Sequence, residues 1–144
     1  MPIYESAPFW RRLAALSYDL LVLIAIWMFA AALVLLAFGG AVDVADQPPL
    51  YHALLQGVLL GLTAIYFVVS WSRGGQTIGM RAWRVRIVDS AGRSPGARNS
   101  LFRFAFALVS LIAGFGFIWC LFDNDRRAWH DVMAKTRMVL ESRD

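Results

Sequence analysis

One cysteine and two histidines are all that this chain of 144 residues offers toward thiol or imidazole chemistry. Cys120 lies in an apolar run with no partner, which excludes an intrachain disulfide and a thiolate metal cage. His52 and His130 lack the i, i+4 spacing and the cysteine companions of a zinc site, so neither a metal nor another cofactor is expected. His130-Asp131 has no hydroxyl or thiol nucleophile at a motif position and no glycine elbow around one, and the expectation is therefore a protein that is not an enzyme. Walker loops and dinucleotide fingerprints are missing as well.

Charge is scarce and unevenly placed. The 14 basic residues exceed the 10 acidic ones, and all border apolar runs, a placement that serves topology and anionic lipid headgroups rather than nucleic acid. At 59% hydrophobic residues and a mean hydropathy of +0.56, the chain carries more apolar surface than a soluble domain of this length can bury. The bilayer must be its solvent, and residues 1–144 read as a single membrane domain.

Three long runs fill that domain. Leu13 to Phe38 contains 26 residues with Asp19 as its one charge, long enough as a helix of ~39 Å to span a bilayer. A secretory signal has a shorter apolar core and rarely a carboxylate inside it, so residues 13–38 are expected as the first spanning helix. Gly39-Gly40 ends it, and Pro48-Pro49 starts the next, residues 50–72, which carries no formal charge and closes on the interfacial aromatics Tyr66, Phe67 and Trp71. Gly57 and Gly61 form a GxxxG stripe extended by Ala53, read as the seam against the alanine-rich first helix in preference to a dimer contact.

Residues 73–100 are polar, with six arginines and one acid. Gly74-Gly75 reads as a turn, Thr77 as the cap of a short interfacial helix, and Arg84 to Asp89 as a strand, because it alternates and then meets Ser90-Ala91-Gly92. Its expected partner is Thr136 to Leu140, since a lone strand is unstable. The third apolar run, 101–122, contains Gly114 and Gly116, and a polar tail covers 123–144. Basic residues in the N-terminal tail, the 39–49 loop, region 73–103 and the C-terminal tail number 2, 0, 7 and 5, so the positive-inside rule wants three of the four segments in the cytoplasm. Two spanning helices plus a broken or re-entrant third segment satisfy this, with a small cytoplasmic β element and the N-terminus inside. The fold class is thus an α-helical integral membrane protein.

An ionised aspartate within a spanning helix costs about 2.5–3.5 kcal/mol at the bilayer centre and less near the edge. Asp19 is thus either an ion or proton ligand or an anchor bonded to Arg12, Tyr18 or another helix. Arg12 lies seven residues before it, about two turns away on the same face.

These residues together resemble the RDD family of small bacterial integral membrane proteins, named for one arginine and two aspartates. Arg12, with Arg11 beside it as the alternative register, matches the family arginine. Asp19 matches the first aspartate, and Asp131 within Trp129 to Thr136 the second. Gly75 to Arg81 followed by Arg86 to Asp89 is similar to the middle signature, and Asp123 to Arg127 falls at a charged turn. The resemblance runs from about Phe9 to Leu140. It implies a multi-pass protein of the bacterial inner membrane, with transport proposed for the family and cation/proton exchange suggested for some members. On that reading Arg12, Asp19 and Asp131 bind an ion or proton, supported by Tyr18, Gln76, Thr77, Arg81, Arg103 and His130. A few segments enclose little space, so transport implies a homo-oligomer. The competing expectation is a non-transporting scaffold or accessory subunit whose Arg/Asp cluster is structural.

Overall fold

The computed structural model describes residues 6–40, 48–113 and 133–141. Helix α1 covers Phe9–Ala37 and α2 covers Pro49–Gly74, and both are long and apolar enough to cross a membrane. The first starts a turn before the apolar run, because arginines are good helix formers and need no buried face at an interface. Met28, Phe29 and Leu36, in the far half of α1, are 69%, 69% and 68% exposed, an apolar exterior unsuited to water.

Side-chain contacts along the two helices hold the hairpin. Trp27 Nε1 donates to Thr63 Oγ1 at 2.9 Å, and Phe38 meets Tyr51 edge-on at 5.5 Å. The GxxxG stripe is not the seam: a Cβ added at Gly57 or Gly61 meets nothing within 4 Å. At 100° per residue Gly61 lies about 200° around α2 from Thr63, so the contact through Thr63 turns the glycines elsewhere.

Gly75 ends α2 in the left-handed region at φ 68°, its N–H bonded to Trp71 O at 2.9 Å. The turn leads to the short helix α3, Ile78–Ala82, capped by Thr77, whose hydroxyl accepts from Met80 N–H at 3.2 Å. Strand β1, Val85–Asp89, follows and pairs antiparallel with β2, Thr136–Leu140, in the register Val85 to Leu140 through Asp89 to Thr136. Between them in sequence, α4, Ala97–Ala113, packs on α2. It begins four residues before the expected third run. The Gly114/Gly116 break and the rest of that run lie outside the described residues.

The packed core sits at one end of the helices, where Ala7, Ala15, Trp71, Met80, Val85 and Ile87 bury one another. Gly75 is the pivot of this end. A Cβ there falls 2.6 Å from Ile87 O, and the conformation itself disfavours an L side chain. Gly75→Ala is expected to cost roughly 2–4 kcal/mol, read as a lower melting temperature in detergent. Gly57→Ala, into open space, is expected to stay within about 0.5 kcal/mol of wild type.

Candidate functional site

Asp19 stands about three turns into α1, one turn beyond Ala15, and is 2% exposed. Its neighbours come from three other places in the chain. Tyr66 projects from α2, the turn after Gly75 delivers Thr77, and α3 lays Gly79 across α1. Asp19 Oδ1 accepts from the Tyr66 hydroxyl at 2.7 Å and from Gly79 N–H at 2.8 Å, and Oδ2 accepts from the Thr77 hydroxyl at 2.5 Å. Both carboxylate oxygens are thus engaged.

The bonds extend one step further. Ile78 N–H donates to the Tyr66 hydroxyl at 3.3 Å and Met80 N–H to the Thr77 hydroxyl at 3.2 Å. The N–H groups of residues 78, 79 and 80, which α3 cannot satisfy internally, thus end on Asp19 directly or through one hydroxyl. This approach requires glycine at 79. A Cβ there would drive into Ala15 O and sit 2.9 Å from the Asp19 carboxyl carbon and Oδ1.

Arg12 does not supply the expected charge partner of Asp19. Buried to 4% exposure, it donates from Nε to Ala7 O at 3.0 Å and from Nη2 to Met138 O at 3.4 Å, fastening the start of α1 to the N-terminal tail and β2. The tail itself pairs with β2, Ser6 bridging Val139 and Ala7 N–H bonding Met138 O at 3.0 Å. Arg11 is less buried and lies 5.2 Å over the Trp10 ring, so the two adjacent arginines have different tasks. Asp131 and His130 lie outside the described residues.

The other expected residues divide similarly. Thr77 joins the site. Tyr18 does not, being half exposed against the edge of Trp83 at 6.1 Å. Gln76 ties the turn to the sheet, donating to Val85 O at 3.0 Å and Glu141 Oε2 at 3.1 Å. Arg81 is exposed on α3. Arg103, 1% exposed, holds α4 to the sheet through Thr136 Oγ1 at 2.7 Å and stacks 5.2 Å over Trp71. Sequence reasoning missed Tyr66 and Gly79. Tyr66 carried the signal of an interfacial aromatic, which is true of its ring and silent about its hydroxyl. Among the described residues no three His, Cys, Asp or Glu side chains gather as a metal group would require.

Two candidate spanning helices, tied at one end to each other and to the short helix that leads into a small sheet by a buried carboxylate, define a small helical membrane protein. A model of the RDD family matches residues 6–135, and the chain belongs to that family. No curated protein and no solved structure gives a significant match.

Proposed function

We propose that this protein is a non-transporting membrane module, a scaffold or accessory subunit, in which Asp19 is a structural clasp. The observation that carries this reading is the engagement of both oxygens of Asp19 by three donors from α2, the turn and α3 at 2% exposure. A carboxylate that exchanged its cargo would have to drop those donors, and each buried donor left bare costs about 1–3 kcal/mol. As a clasp the same bonds fix the angle at which α3 and the sheet leave the bilayer. The basic-residue count supports placing that polar end and the N-terminus in the cytoplasm of a bacterial cell, with the helices in the inner membrane.

A second reading is cation or proton transport, and one observation favours it. Tyr66 and Thr77 present hydroxyl oxygens that can turn their lone pairs outward, making with Asp19 an all-oxygen cradle suited to a hard cation. Arg12 and Asp131 would then tune the site, and a homo-oligomer would enclose the path. Ion-dependent proton flux in proteoliposomes separates the two. The clasp reading expects wild-type flux equal to that of empty liposomes; the transport reading expects flux that Asp19→Asn abolishes in protein that still folds.

A further inference from the structure

Trp10 and Arg11 open α1, and Trp83 and Arg84 follow α3. Where these pairs meet, a cleft of about 260 Å³ is lined by Trp10, Arg11, Ala82, Trp83 and Arg84. Its walls are braced: the Trp83 ring meets Trp10 edge-on at 5.5 Å and Tyr18 at 6.1 Å. Two donors in these walls, Arg11 Nε and Trp83 Nε1, are shielded from solvent and have no hydrogen-bond partner among the described residues. Buried N–H groups are almost always paired in native proteins, so these two donors of the residues that line the cleft are unspent. The first turn of α1 carries no acidic residue and Pro8 gives no side-chain cap, leaving the positive end of a 29-residue helix beside the cleft.

We propose that this cleft binds the phosphate of an anionic membrane lipid. A phosphate diester offers several acceptor lone pairs to two guanidinium groups and an indole N–H, and arginine is suited to take it in a planar fork. The level is right for a headgroup, because tryptophans cluster at the membrane interface. The exposed Leu13 and Leu20, 49% and 48% accessible, continue from the cleft along α1 and provide an apolar track for an acyl chain. A free phosphate ion would use the same donors without that track.

Native mass spectrometry of the full chain in detergent, titrated with phosphatidylglycerol or phosphatidylcholine, tests the assignment. Phosphatidylglycerol is expected to bind about tenfold more tightly than phosphatidylcholine, Arg11→Gln to remove most of that preference, and Trp83→Phe, which deletes a donor to the phosphate that both lipids carry, to weaken both about tenfold. Trp83→Phe keeps a smaller aromatic ring in the wall while deleting the donor, so a fold defect in the arginine variant does not blunt the test. Arg93→Gln, which removes an exposed charge paired with Asp89, is expected to leave the preference unchanged. Added inorganic phosphate is expected to displace the lipid poorly. Preference surviving in Arg11→Gln, affinity for both lipids unchanged in Trp83→Phe, equal loss in Arg93→Gln, or binding of inorganic phosphate without preference between the lipids would overturn the proposal.

Discussion

Gly79→Ala is expected to lower the stability of the detergent-solubilised protein by roughly 3 kcal/mol or more, because the new methyl group has nowhere to go. Ideal placement of its Cβ collides with Ala15 O, a backbone atom of a long helix, and lies 2.9 Å from two atoms of Asp19. Helix α3 must retreat from α1 to admit it. That retreat stretches the Gly79 N–H bond to Asp19 and carries Thr77, the capping residue two positions earlier, away from the other oxygen. One methyl group thus disturbs packing and two hydrogen bonds to a charge together. Residue 79 lies outside the left-handed region, so the cost is proximity and not backbone strain. The measurement is a thermal melt followed by far-ultraviolet circular dichroism. A melting temperature within a degree of wild type would mean that α3 does not press on α1.

Asp19→Ala is expected to be comparably severe, and more so than Asp19→Asn. Alanine strips the acceptor from the Tyr66 and Thr77 hydroxyls and from Gly79 N–H at one stroke, and with about 1–3 kcal/mol for each buried donor left unsatisfied the total is at least roughly 3 kcal/mol. Asparagine keeps one carbonyl oxygen where Tyr66 and Gly79 converge, and its amide can donate to the Thr77 oxygen. What it loses is the charge that strengthens each bond, an effect of about 1–2 kcal/mol in all. The order wild type, Asn, Ala in melting temperature is the signature of an acceptor with three customers. A purely electrostatic role would place Asn and Ala together.

The two spanning helices were legible because uninterrupted apolar runs of 26 and 23 residues admit few other readings. The strands were legible from alternation, and Thr77 from cap chemistry at the head of a short helix. Asp19 drew attention because a lone carboxylate in an apolar run must be compensated. Its compensation was not legible. Tyr18 is adjacent in sequence, yet successive helix residues diverge by 100° and its ring turns to Trp83, whereas Tyr66 arrives from 47 residues away. Arg12 looked like a charge partner of Asp19, but it donates to the carbonyls of Ala7 and Met138, and backbone carbonyls leave no mark in sequence. GxxxG says that a helix backbone can be approached, not by what; here Thr63 chose the other face.

The account rests on the claim that Asp19 stabilises the fold by accepting from side chains and backbone of the elements around it. A double-mutant cycle between Asp19→Ala and Tyr66→Phe, with unfolding free energies from denaturant titration in detergent micelles, tests it most directly. Tyr66→Phe deletes the hydroxyl that lies 2.7 Å from Oδ1 and preserves the ring. The predicted coupling between the two changes is about 1–2 kcal/mol, the double variant being less destabilised than the sum of the single ones. Strict additivity, with each single change below about 0.5 kcal/mol, would contradict the clasp.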